Sequence, residues 1–273
     1  MSLDLLRARV VFRDRSASDV LDLALRFVAV HGRPYAKVGL ASVVPLAVVS
    51  LAAGHLLHPF TAWVVAATLA AVAEIPFTVL ASRLVFQDDV RAADVLRAAL
   101  RDAPRVLAMR AIVLVIVLLG LGVFVIPGVW LAALFLFTSE VVLLERSHVA
   151  GGLGRSQWLG SNAMSEALIG VLVTTLVPVG AALFADVTGR AVIGELLQFR
   201  PPRPVWSSGW STLAAIGLFV QVPWVATARF FLYLNIRTRT EGWDIQTRFA
   251  GLAARMERER AERTSIAPKD EAA

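Results

Sequence analysis

Residues 107–145 read LAMRAIVLVIVLLGLGVFVIPGVWLAALFLFTSEVVLLE. This apolar run is close to twice the about 20 helical residues that one bilayer crossing requires. It cannot be a single span. Pro127-Gly128 lies near its middle, and a Pro-Gly pair is a turn signal. The run therefore predicts a tight hairpin of two spans, at 107–126 and 129–145.

Working outward, four further apolar segments are long enough to cross, at 38–57, 60–85, 163–185 and 211–235. The expected fold is all-α: a polytopic membrane protein with six transmembrane helices arranged as three hairpins. Composition agrees. The chain is 57% hydrophobic and only 18% charged, with a mean hydropathy of +0.68, whereas soluble domains are about 45–50% apolar. Net charge is +6. In a soluble protein that charge would suggest nucleic acid. Here the basic residues flank apolar spans, where they set topology and meet anionic lipid, so nucleic acid is not an expected partner. The absence of cysteine excludes disulfides, thiol nucleophiles and thiolate metal sites. The first thirty or so residues are charged and amphipathic, without the apolar core of a cleavable signal peptide, so the first span is expected to serve as the insertion signal.

Basic residues fix the expected orientation. Arg7, Arg9, Arg13, Arg15, Arg26, Arg33 and Lys37 precede span one; Arg91, Arg97, Arg101 and Arg105 lie between spans two and three; Arg146 and Arg155 follow span four; Arg237, Arg239 and Arg248 follow span six. The turns at 58–60 and 127–128 carry none, and the 186–210 loop carries Arg190, Arg200 and Arg203. Six spans with both termini in the cytoplasm fit this alternation. Residues 1–245 form the membrane domain. Residues 246–273 read as a cytoplasmic charged helix, with Arg258/Glu262 and Glu259/Arg263 at i, i+4, followed by a tail.

An internal repeat recurs along the chain. DVLDLALR at 19–26 matches DVLRAALR at 94–101. Asp19, Asp22 and Arg26 form a polar stripe matched by Asp94, Arg97 and Arg101. Val20, Leu21, Ala24 and Leu25 match Val95, Leu96, Ala99 and Leu100 on the apolar side. Such stripes predict cytoplasmic amphipathic helices lying in the membrane interface. A third, glycine-rich copy is expected at 151–160. EIPF at 74–77 similarly resembles QVPW at 221–224. Units that enter and leave on one side are parallel repeats, related by an axis along the membrane normal.

Glu74 stands out because it lies about 16 Å inside span two at a 1.5 Å rise per residue. A carboxylate there must be paired, hydrated or protonated. It is a candidate proton or cation site, set against a buried structural carboxyl. Glu140 and Arg229 lie at similar depths in spans four and six, which predicts an ion pair between hairpins, against an Arg229 that snorkels to the interface. Arg146, Arg155, Arg237 and Arg239 are candidate headgroup-binding residues. Pro45, Pro76, Pro178 and Pro223 are expected to kink their spans as packing features. His55 and His58 are two ligands where zinc wants three or four, so no metal is expected, and no cofactor either. Tyr35, Trp63, Trp130, Trp206, Trp210, Tyr233 and Trp243 lie near span ends, as an interfacial aromatic belt would. Nucleophile elbow, zinc-protease helix, phosphate loop and dinucleotide fingerprint are all missing; GGLG at 151–154 lacks the lysine and the strand.

Three stretches, IPGVW at 126–130, LLERSHVAGGLGRS at 143–156 and YLNIRTRTEGWDI at 233–245, resemble a group of bacterial polytopic membrane proteins. These are similar to the membrane domain attached to some glycerophosphodiester phosphodiesterases. The last stretch in that group often carries an aspartate before Ile/Leu-Arg; this chain has Asn235. The resemblance implies architecture without catalysis, because in the fused proteins a separate soluble domain is the hydrolase. The expected function is a non-enzymatic membrane scaffold or accessory subunit. Its expected partners are the lipid bilayer, anionic headgroups, and a membrane or cytoplasmic protein. The alternative is a small transporter or lipid-handling protein with a midplane site around Glu74.

Overall fold

A computed structural model describes residues 16–87, 89–145 and 149–241. All regular secondary structure among these residues is helical. Six segments are long and apolar enough to span a membrane: Gly32–Leu56, Pro59–Leu84, Ala92–Val123, Val125–Glu145, Met164–Leu196 and Thr212–Thr240. The chain is an all-α polytopic membrane protein. With an even number of spans, residues 16 and 241 emerge on one side, called here the near end.

The helices are α1 (Ala17–Val30), α2 (Gly32–Leu56), α3 (Pro59–Leu84), α4 (Ala92–Val123), α5 (Val125–Leu134), α6 (Thr138–Glu145), α7 (Val149–Asn162), α8 (Met164–Ala191), α9 (Val205–Ser208), α10 (Thr212–Val220) and α11 (Val222–Thr240), with a π-helical turn at Val192–Leu196. The hairpins are α2–α3, α4 with α5–α6, and α8 with α10–α11. Their first helices are outer and their second helices inner. Only 17% of the apolar window is buried in each first helix, against 56%, 50% and 67% in the second helices. Around the bundle α2 touches α3, α3 touches α4, α4 touches α5, α5 touches α8, α8 touches α10 and α10 closes back on α2, while α11 crosses to α3. The outer helices expose Val44, Val48, Leu118, Leu119, Leu172 and Leu176. So continuous an apolar surface is a liability in water and ordinary against lipid.

The reversal between spans three and four falls at Phe124, whose backbone is extended, and not at Pro127-Gly128. Proline is well tolerated in the first turn of a helix, where its missing N–H has no acceptor. The pair therefore opens α5 instead of forming the turn. Gly128 permits the closeness of α4 and α5. A Cβ there would stand 2.8 Å from the Leu121 backbone nitrogen.

Span four is interrupted at 135–137, between α5 and α6, and span six at Gln221, between α10 and α11. Pro45, Pro76 and Pro178 sit within continuous helices. Pro223 instead follows the break, in the first turn of α11.

The amphipathic stretches form helices, but their apolar faces meet protein. Ser16 caps α1, its hydroxyl accepting from the Asp19 N–H at 3.2 Å. The stripe Ala17, Val20, Ala24 and Phe27 is buried, and α1 packs on α11, with Phe27 edge-on to Phe231 at 5.1 Å between ring centres. Interfacial burial in lipid is thus replaced by a protein contact. The second stretch is not a separate helix; it forms the first turns of α4, which continues past Pro104 to Val123. The matched positions still share environments. Val20 and Val95 are buried, as are Ala24 and Ala99, while Leu25 and Leu100 are exposed. At the expected third position, α7 buries Gly152, Ser156, Leu159 and Gly160 along one face.

Candidate functional site

Four charged side chains meet where the hairpins converge. Glu74 comes from α3, Arg110 from α4, Glu140 from α6 and Arg229 from α11. Glu74 lies ten residues before the near end of α3, about 15 Å at 1.5 Å per residue. Its Oε2 accepts from Arg110 Nη2 at 2.8 Å and from Arg229 Nη1 at 3.0 Å. Arg229 Nε donates to Glu140 Oε1 at 2.5 Å. Arg110 Nε donates to the Ser139 hydroxyl at 2.8 Å, and its Nη1 donates to the Ala71 carbonyl at 2.5 Å. Two guanidiniums and two carboxylates leave no net charge. The Glu140 side chain is fully buried and that of Arg229 is 9% exposed. Unpaired, either charge would be costly at this depth. Glu140 Oε2 and Arg229 Nη2 are buried without a protein partner.

Glu74, Glu140 and Arg229 are therefore brought together, and Arg229 does not snorkel outward. Arg110 completes the group and escaped the sequence reading. It is the sole charged residue between Arg105 and Glu140, yet it lies three positions inside the expected start of its span, where an arginine reads as a flank. Its isolation within the apolar run was the available signal.

Three of the four proposed headgroup arginines, Arg155, Arg237 and Arg239, are paired within the protein. Arg155 pairs with Glu145, at 3.3 Å, and with Glu241. Arg237 Nε donates to Glu241 at 2.9 Å and its Nη1 to the Tyr233 hydroxyl at 3.0 Å, while Tyr233 donates to Glu145 at 2.8 Å. Arg239 pairs with Glu166 at 2.5 Å. Carboxylates of α6, α8 and the end of α11 thus neutralise the charge that the headgroup reading needs. Arg146, Trp243 and the segment 246–273 lie outside the described residues.

The aromatic belt also divides. Trp130 and Trp206 are exposed, whereas Tyr35, Trp210 and Tyr233 are buried. Thr227 donates its hydroxyl proton to the Pro223 carbonyl, so Tyr35 donates to Thr227, at 2.8 Å. At the far end Trp63 Nε1 donates to the Gly209 carbonyl at 2.8 Å and packs on Trp210. Asp186, a second residue the sequence reading passed over, is fully buried there. It accepts from the Ser211 hydroxyl, and from the Val205 N–H at 3.3 Å. His58 caps α3, its Nδ1 accepting from the Phe60 N–H at 3.3 Å. Among the described residues no three His, Asp or Glu side chains are grouped to hold a metal.

Comparison with protein-family models, with curated proteins and with solved structures found no match. What can be said of class therefore rests on the fold itself: a multi-pass membrane protein of three hairpins, tied at mid-bundle by a neutral cluster of four charges.

Proposed function

We propose that this chain is a non-enzymatic scaffold or accessory subunit of a bacterial cytoplasmic membrane, with both tails in the cytoplasm. A relation to the membrane domains attached to some glycerophosphodiester phosphodiesterases is part of the same proposal. One observation carries it. Glu74, the residue best placed to carry a proton or cation, faces two guanidiniums at 2.8 and 3.0 Å. Neighbouring positive charge opposes both protonation and cation binding at a carboxylate. The group ties hairpins together and is a poor carrier.

The transporter reading has its own support. Span six breaks at Gln221, and Gln221 Oε1 and Trp224 Nε1 are both buried without partners beside that break. Interrupted helices near the midplane can form transport sites. Proteoliposomes under imposed proton, sodium or potassium gradients separate the two. The scaffold reading expects dissipation no faster than in protein-free vesicles. It also expects that deleting residues 246–273 leaves the membrane domain folded while disrupting assembly with its partner. A saturable flux that falls on Gln221→Ala would sink the scaffold reading in favour of transport.

A further inference from the structure

At the near end a cleft of about 370 Å³ opens between the first two hairpins. Its lining includes Lys37 of α2, Leu80 of α3, and Val90, Arg91 and Ala93 at the start of α4. It contains two cations from different hairpins and no carboxylate. Among the described residues neither Lys37 nor Arg91 has an ion pair, whereas nearby Arg97 is held by Asp94 at 3.3 Å. The floor is apolar, with Val38 and Leu80 buried. Arg91 occupies the cap position of α4 without a side-chain capping bond, and Asp94 in the first turn faces Arg97. On the same face of α2, three and seven residues beyond Lys37, Leu40 and Val44 are exposed.

We propose that this cleft binds an acidic phospholipid. Its phosphoryl group sits between Lys37 and Arg91, and an acyl chain lies along Leu40 and Val44. The polar half needs two cations at a membrane surface, and the apolar half needs a greasy track leading from them into the bilayer; α2 supplies both. The proposal depends on the membrane setting alone and goes beyond the scaffold reading, so a flux assay that overturned that reading would leave it intact.

The test uses the purified full chain in neutral detergent, with native mass spectrometry and thermal stability read during titration with phosphatidylglycerol, phosphatidylcholine or inorganic phosphate. The site variant is Lys37→Gln with Arg91→Gln. The charge-matched control is Arg26→Gln with Arg97→Gln, whose side chains are exposed and paired to Asp22 and Asp94. Two basic residues near an anionic lipid are worth about thirtyfold in binding. The site variant should lose about that factor for phosphatidylglycerol, and the control should lose far less. Ala93→Phe, at an exposed position of the lining, keeps both charges and should also block the lipid, which guards against a site variant that fails to fold. Equal losses in site variant and control would reduce the effect to bulk surface charge and overturn the proposal. Stabilisation by inorganic phosphate matching that by phosphatidylglycerol would overturn the lipid assignment.

Discussion

Replacing Arg229 by methionine removes the one cation that, among the described residues, is bonded to Glu140, whose side chain is fully buried. Glu74 keeps Arg110 at 2.8 Å, so the damage concentrates on one carboxylate. Stripping one partner from a buried pair costs about 3–5 kcal/mol. At about 2–4 °C per kcal/mol for a chain of 150–250 residues, the apparent Tm should fall by about 6–20 °C. Glu140→Leu is the milder change, because Arg229 retains Glu74 at 3.0 Å; its expected cost is about 1–3 kcal/mol. The double variant deletes both charges and leaves the Glu74–Arg110 pair untouched. It should melt above the Arg229→Met single variant, with a coupling of about 2 kcal/mol or more. Heating in detergent followed by size-exclusion detection of surviving monodisperse protein gives the three midpoints. If the single effects simply add, within about 0.5 kcal/mol, the two residues act independently and the argument from their contact fails.

Arg110→Met leaves Glu74 with Arg229 and strands only the Ser139 hydroxyl and a helical carbonyl, so its midpoint should lie between those of wild type and Arg229→Met in the same assay. Tyr35→Phe removes one buried hydrogen bond, to Thr227 at 2.8 Å, and should cost about 1 kcal/mol; a drop as large as that of Arg229→Met would assign Tyr35 a role the geometry does not supply. Gly217→Ala places a Cβ 2.3 Å from the Ala181 carbonyl oxygen, where α10 rests on the backbone of α8, and should lower the midpoint sharply. Gly180→Ala meets nothing within 4 Å and should be neutral or raise stability by up to about 1 kcal/mol through helix propensity.

Span number and hairpin pairing were legible because apolar length is set by the bilayer and written along the chain without interruption. The Arg229–Glu140 contact was legible from depth alone, since two charges of opposite sign at one level of a bundle have strong reason to meet. What escaped was set by neighbours. Nothing in DVLDLALR states whether its stripe will meet lipid or the face of α11; both are apolar, and the choice is made by α11 being there. Pro127 and Gly128 each have two uses, as turn formers or as the opening of a helix, and Gly120 across the hairpin helped decide which. Arg155 and Arg239 read as free charge because Glu145 and Glu166, which hold them, lie on other helices; Arg237 read as free although Glu241 stands at i, i+4 from it, because an arginine just past an apolar span reads as a topology flank.

In lipid the hydrophobic effect does not press helices against one another, because the tails are as apolar as leucine, and association rests on packing and polar contacts. This bundle packs its inner helices closely but leaves its outer ones largely exposed. Close packing of similar Leu, Val and Ala surfaces allows helices to slide or rotate by a turn at little cost. The four-charge cluster removes that freedom. Moving α4 away from α3 strands Arg110, and moving α6 away from α11 strands Glu140, because each has one oppositely charged partner among the described residues; because Glu74 bonds arginines from two other hairpins, it ties three hairpins at once. A carrier site needs the opposite: a group that can exchange its partner for water or an ion at small cost. A neutral set in which two carboxylates and two guanidiniums hold one another meets the requirement for fixed register and fails the requirement for exchange, which is why the cluster weighs toward a rigid platform.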